Sequence, residues 1–138
     1  MKTAKEIGNI GEDYAEKYLK KHGWKIITRN YTVKGGEIDI IAYRFGVLAF
    51  FEVKSRSNDL YGTPAEAVNE EKLMHIKYAK RRFSESYVRG RKINVFYPLG
   101  IEIPRRIFKE RIDIIEIYMS KTHEVQKINH IKDLGKTL

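Results

Sequence analysis

Hydrophobic and polar positions change rhythm several times along this chain, and each change marks an element. From Thr3 onward, Ile7, Ile10, Tyr14, Ala15, Tyr18 and Leu19 recur at helical spacing. Thr3-x-x-Glu6 is a capping-box signature at the start of that helix, and Gly23 supplies its stop. Ile26 to Tyr31 reads as a first strand, followed by the turn residues Lys34-Gly35-Gly36. Glu37 to Tyr43 and Val47 to Ser55 read as two strands joined by a tight turn at Phe45-Gly46. Ser57 to Pro64 is a loop by composition. Asn69 can cap a second helix over Glu70 to about Tyr87, with Leu73, Ile76, Ala79 or Lys80, and Phe83 facing inward. Lys92 to Tyr97 and Arg111 to Met119 alternate as strands. Between them lies a turn region from Pro98 to Pro104, with room for a short strand at Gly100 to Ile103. Residues 120–138 are a polar extension in which "HEVQKINHI" suits an edge strand or a short helix. The pattern predicts one α/β domain over 1–138, built on a central mixed sheet.

Two of these strands carry charges that their apolar neighbours do not explain. Strand alternation puts Glu37, Asp39 and Ile41 on one face, and Ile38, Ile40 and Ala42 on the other. In the next strand Phe50, Glu52 and Lys54 share a face, opposite Phe51, Val53 and Ser55. A hairpin loop of two or four residues sets Asp39 opposite Glu52, with Cβ atoms about 5 Å apart. Two carboxylates that close repel each other unless a cation sits between them. A divalent ion such as Mg²⁺ accepts one or two carboxylates and keeps waters elsewhere. Asp39, Glu52 and the Val53 carbonyl form a half-shell for such an ion. Lys54, on the same face, can steady an attacking water and neutralise charge on a phosphate. The plainer alternative is a half-exposed hairpin in which Lys54 pairs with Glu37. Segments as apolar as "IDIIA" and "VLAFFEV" suit strands buried on both faces, where polar residues are expensive and function is the commoner reason for them.

Composition narrows the chemistry. The 138 residues are 42% hydrophobic and 33% charged, which fits a folded globular chain. With no cysteine, disulfides, thiolate catalysis and cysteine-ligated zinc are excluded. The four histidines, His22, His75, His123 and His130, lack metal-ligand spacing, so a metal here has oxygen ligands, which points to Mg²⁺ or Mn²⁺. The N-terminus has no signal-like apolar core, and the longest apolar run, Gly46 to Phe51, is too short to span a bilayer. The expectation is a cytoplasmic protein with no membrane partner. A net charge of +9 and a pI near 9.6 favour a polyanionic partner, against the alternative of a charged, heat-tolerant surface.

"GEIDIIA", a short turn and "FFEVKSR" resemble the core of the PD-(D/E)XK nuclease superfamily. More closely, the chain resembles the bacterial YraN family, itself similar to archaeal Holliday-junction resolvases. "GNIGEDYAEKYLKKHGWKIITRNY", "YGTPAEAVNEEKLMHI" and "RIDIIEI" extend the likeness in the same order, leaving roughly the last 20 residues without a counterpart. The resemblance implies a restriction-endonuclease-like, three-layer α/β core with a central mixed sheet flanked by helices. It also implies metal-dependent hydrolysis of phosphodiester bonds in DNA, branched or single-stranded. Asp39, Glu52 and Lys54 match the metal-binding and catalytic positions, and Glu12 matches an acid on the first helix that completes the metal site. Glu12 lies one turn from Gly8, where a missing side chain permits close approach; it also reads as an ordinary acid complementing the helix dipole. Glu37 is a fourth acid at the site or the salt partner of Lys54, with the second reading preferred.

Arg56, exiting the same strand as Lys54, is the candidate for holding a phosphate, together with Lys72 if the second helix packs beside the site. Lys77, Lys80, Arg81, Arg82, Arg89, Arg91 and Lys92 are solvated faces by default, and a phosphate track if they flank the cleft. Tyr43, Tyr61 and Tyr87 can stack on bases or sit in the core. A nucleic-acid-binding module without catalysis is the alternative function on the same fold. Junction resolvases cut two equivalent strands, so analogy adds a homodimer to the expectations, although no residue pattern encodes one.

Overall fold

Thr3 accepts a hydrogen bond from the Glu6 N–H at 3.1 Å and opens helix α1, Ala4–Lys21. The helix ends before Gly23, whose φ of +88° only glycine adopts without strain. In the computed structural model, which describes residues 2–57 and 69–134, the strands β1 (Lys25–Val33), β2 (Gly36–Arg44) and β3 (Val47–Ser57) follow. Helix α2 (Glu70–Tyr87) begins at Asn69, whose side chain accepts the Lys72 N–H at 2.8 Å. Then come β4 (Lys92–Tyr97), β5 (Ile101–Arg106), β6 (Lys109–Met119) and β7 (Val125–Ile131). Apart from Ser57, the expected loop to Pro64 lies outside the described residues, as does Tyr61.

The main sheet has the order β1-β2-β3-β6-β7. Only β3 and β6 run parallel; the other neighbours are antiparallel. Leu48 and Phe50 pack with Leu73, Ile76, Ala79 and Phe83 of α2. Ala49 and Phe51 pack on the other face with Ala15 and Leu19 of α1. The result is the three-layer α/β core with a mixed central sheet that the sequence pointed to. β3 and β6 occupy its middle, which is why their sequences are apolar on both faces.

Two glycines set the helix-to-sheet distances. A Cβ at Gly11 would strike the Ser55 hydroxyl, so α1 rests against β3 at that point. A Cβ at Gly36 would strike the His75 backbone carbonyl, so α2 rests against the start of β2. Gly8, the expected point of close approach, faces open space instead. The buried stripe of α1 runs through Gly11, Ala15 and Leu19, which turns Tyr14 outward to 39% exposure.

Phe45 and Gly46, with φ of +45° and +83°, make the two-residue turn that the hairpin called for. It fixes the register from Arg44 opposite Val47 to Ile40 opposite Phe51. Strict alternation fails one step later. Ile38 packs beneath α2 with Ile41, although the sequence grouped it with Ile40 and Ala42. Asn30, opposite this point of β2, has a φ of +52°, and the β1–β2 ladder skips it. β4 and β5 form a separate two-stranded ribbon. β5 continues through Pro104, which the sequence had put in a turn; a two-stranded ribbon tolerates proline where a central strand does not. Part of the polar tail becomes β7, so of its two readings the edge strand is the one observed.

Candidate active site

The geometry of the site follows from the place where β2 and β3 part. Beyond Ile40 and Phe51 the ladder stops, and Asp39 Oδ2 accepts the Val53 N–H at 2.8 Å. A carboxylate thus takes the place of a strand carbonyl. Asp39 and Glu52 are the next residues on the two strands, so they flank a fork rather than closing the ladder. The Glu52 side chain is only 5% exposed. Its Oε1 lies 3.6 Å from Lys72 Nζ and 4.0 Å from Lys54 Nζ. Its Oε2 is buried with no hydrogen-bond partner.

Those surroundings govern protonation. Burial, and then the neighbouring Asp39 charge, push the Glu52 carboxyl up to about 7. Burial also raises Asp39, opposed by the Val53 N–H. Glu12 is raised by burial and by Asp39, which places it in the field of that carboxylate. Its carboxylate nevertheless pairs with Arg29 at 3.4 Å, and Arg29 also holds Asp13 and Glu16. Among the described residues no group of three or more histidine, aspartate or glutamate side chains is gathered to hold an ion. The available donor set is therefore Asp39, Glu52 and backbone oxygen. That set fits Mg²⁺ or Mn²⁺, which need few carboxylates, and the unpartnered Glu52 Oε2 is a buried acceptor such an ion satisfies.

Lys72 sits beside Glu52 because Asn69 starts α2 at the fork. Lys54 turns to Glu52, so the preferred pairing with Glu37 is absent among the described residues. Glu37 is instead an exposed outlying acid whose charge raises both Asp39 and Glu52. Arg56 does not stand open beside the fork. Its Nε lies 3.5 Å from Glu116 Oε2, a carboxylate with no solvent exposure. Asn129 donates to the other oxygen of Glu116 at 2.8 Å. A buried acid needs a compensating charge, and Arg56 supplies it.

Three groups escaped the sequence reading: Arg29, the Arg56–Glu116 pair, and Asp113. Asp113 is fully buried. It accepts from Arg111 at 3.0 and 3.1 Å and from the Asp133 N–H at 2.9 Å, and it meets His130 Nε2 at 2.8 Å. The acids are visible in "RIDIIEI", but their partners Asn129 and His130 come from β7, which the sequence left undecided.

The basic run of α2 divides. Lys77, Lys80 and Arg81 line a cavity of about 830 Å³ with Lys109 and Arg111. There Lys80 pairs with Glu110 at 3.1 Å and Lys109 with Asp133 at 2.8 Å. Arg82 instead donates to the Tyr78 hydroxyl, and Arg89 to the Glu85 and Val88 carbonyls. Tyr43 is buried and donates to the Arg106 carbonyl, which removes it from base stacking; Tyr87 is exposed.

Residues 11–117 match the profile of "Uncharacterised protein family UPF0102". The chain belongs to UPF0102. A UPF0102 protein of Clostridium tetani is 39% identical over 129 residues, covering 94% of this chain and 93% of the relative. One from Caldicellulosiruptor saccharolyticus is 38% identical over 130 residues, covering 94% and 96%. One from Carboxydothermus hydrogenoformans reaches 51% identity over 75 residues, covering 54% and 64%. Membership of UPF0102 confirms the YraN resemblance, and the matched span includes every candidate site residue. The UPF0102 name assigns no activity, so the chemistry of the fork has to carry the functional reading. Among the described residues no helix is long and apolar enough to cross a membrane.

Proposed function

We propose that this protein is a divalent-metal-dependent nuclease that hydrolyses phosphodiester bonds, with DNA, branched or single-stranded, as the substrate. The observation that carries this reading is Glu52, a buried carboxylate with one unpartnered oxygen at a fork shared with Asp39. A purely structural acid at that depth is expected to have both oxygens paired, as Glu116 has. Its Oε1 accepts from Asn129 and its Oε2, without a hydrogen bond, faces the Arg56 guanidinium.

Asp39, Glu52 and the Val53 carbonyl would hold Mg²⁺ or Mn²⁺, and the Val53 N–H fixes the orientation of Asp39. When bound, such an ion supplies Lewis-acid stabilisation of phosphate charge and makes water a better nucleophile. Lys54 and Lys72 bring two ammonium groups to the same carboxylate. Lys54 hydrogen-bonds the attacking water, and Lys72, on the first turn of α2, faces the phosphate oxygens. Glu12 stays tied to Arg29 and acts on Asp39 through its charge. The cavity cations Lys77 and Arg81, which form no ion pair among the described residues, contact backbone phosphates away from the cut.

The test is a panel of junction, flap, single-stranded and duplex DNA, each with Mg²⁺ or Mn²⁺. Cleavage is expected to fall at least about a hundredfold in Glu52→Gln and Lys54→Ala. It is expected to persist in Lys80→Ala, whose lysine already pairs with Glu110. Salt-sensitive binding with no cleavage, indifferent to the metal, would reduce the protein to a nucleic-acid-binding module. No binding at low salt would sink both readings.

A further inference from the structure

A second cleft opens where β1, the last turns of α2 and the β4–β5 ribbon meet. It encloses about 400 Å³, within the range of small-ligand sites. Its walls are aromatic. Tyr31 meets Phe83 edge-on at 5.3 Å, and Phe83 meets Tyr87 at 4.9 Å. Phe83 is buried, whereas Tyr87 and Phe96 are 58% and 61% exposed. Asn94 and Glu102 line the same cleft, and neither side chain has a hydrogen-bond or ion-pair partner among the described residues.

This combination selects for a class of ligand. A purely apolar occupant would leave the Asn94 amide and the Glu102 carboxylate unpaired. A bare phosphate would gain nothing from the rings and would be repelled by Glu102. A cationic ligand would suit Glu102, but it must approach a protein of net charge +9. An unpaired nucleobase on a phosphate strand meets every condition. Its π-face stacks on Tyr87 and Phe96, and its exocyclic amino and ring nitrogens match Glu102 and Asn94. Its phosphates match cations carried by the elements that bound the cleft, Arg82 on α2, Arg105 on β5 and Lys25 on β1, each lying over a tyrosine ring.

β1 and α2 contribute residues both to this cleft and to a depression beside the fork. That depression is lined by Thr32, Glu37, Lys72 and His75. Thr32 adjoins Tyr31 in β1, while Lys72 pairs with Glu52. A single strand leaving the carboxylates and following β1 and α2 would be led toward the aromatic cleft. We propose that the cleft bounded by Tyr31, Phe83, Tyr87, Phe96, Asn94 and Glu102 binds an unpaired nucleobase of a strand passing the cut site. This rests on the nucleic-acid reading above and names the feature that would make that binding structure-selective.

The experiment uses the full chain in EDTA, titrated against a single-stranded oligonucleotide carrying 2-aminopurine, with a blunt duplex as control. Stacking should change the probe's fluorescence in wild type. Tyr87→Ala combined with Phe96→Ala should weaken single-strand binding roughly tenfold or more and leave duplex binding unchanged. Both positions are exposed, so the fold survives the change. Glu102→Gln keeps the shape of the cleft and should flatten the preference among bases. A fluorescence change that is absent in wild type or persists in the double variant overturns the proposal, as does equal weakening of duplex and single strand. No divalent cation is free in solution and no cleavage is scored. A catalytically dead protein with an intact fluorescence response therefore removes only the nuclease reading, and an active one without the response removes only this cleft.

Discussion

Asp113 on β6 and Glu52 on β3 are buried acids in adjacent parallel strands, yet their surroundings treat them in opposite ways. Around Asp113, Arg111, His130 and the Asp133 N–H converge on the carboxylate. Burial pushes its pKa up, but the hydrogen bonds from His130 and Arg111 outweigh burial and hold it below the usual value. Around Glu52, two lysines stand at the edge of ion-pair range and one oxygen has no partner. One acid is finished by the protein itself; the other is left for something to complete. Depth of burial does not separate a structural carboxylate from a functional one. What does is whether each oxygen has a hydrogen-bond or ion-pair partner. Glu116 Oε2 accepts no hydrogen bond but faces Arg56 Nε at 3.5 Å, whereas Glu52 Oε2 has neither.

The sharpest way to break this comparison is to remove each acid in turn. Asp113→Ala leaves Arg111 and His130 facing an empty buried site and should lower unfolding stability by about 3–5 kcal/mol in urea titrations. Glu52→Ala in metal-free buffer should leave stability unchanged or raise it, because repulsion with Asp39 is relieved. Equal losses from the two variants would erase the distinction.

The pH dependence of stability should also differ in sign. Glu52 titrates near 7 when folded and at 4.5 ordinarily, so the folded state holds an extra proton between those values. Metal-free stability should therefore fall as pH rises from about 4.5 to 7, by on the order of 3 kcal/mol. Asp113, lowered from 3.8, contributes stability that is present above that value and lost as pH falls through its folded pKa. A urea-midpoint profile should thus decline on both sides of a maximum between pH about 4 and 5. Glu52→Gln should flatten the alkaline limb and Asp113→Asn the acid limb. An alkaline limb unchanged in Glu52→Gln would contradict the assignment.

Adding Mg²⁺ at about a hundred times its dissociation constant should stabilise wild type by about 2.7 kcal/mol, read as a higher thermal midpoint. Glu52→Gln should lose most of that gain, while Asp113→Asn, once folded, should keep it. The smallest effect belongs to the basic cavity. Lys77→Ala or Arg81→Ala should each reduce the salt slope of DNA binding by about 1, leaving stability within about 0.5 kcal/mol.

The comparison also explains how much could be read from the residues. Helix limits at Asn69 and Gly23, the Phe45-Gly46 turn and its register were legible because each is set by local backbone chemistry. Asp39 and Glu52 followed from that register. Arg56 was misjudged because its partner Glu116 lies on a strand paired across a long crossover, and no local spacing announces it. Arg29 was missed for a related reason, since the acids of α1 that bind it read as ordinary solvated charges. Ile38 departed from alternation because the fork interrupts the ladder where a sequence pattern assumes regular pleating.

Gly36 carries a consequence for spacing within the site. The absence of a side chain there lets the backbone of α2 touch the start of β2 at His75, and Lys72 rides on the same helix one turn earlier. A single methyl at position 36 would act as a shim under the helix, lifting the ammonium of Lys72 away from Glu52 without touching either residue. The reach of that lysine is thus gauged by a residue with no side chain, set under the helix one turn away.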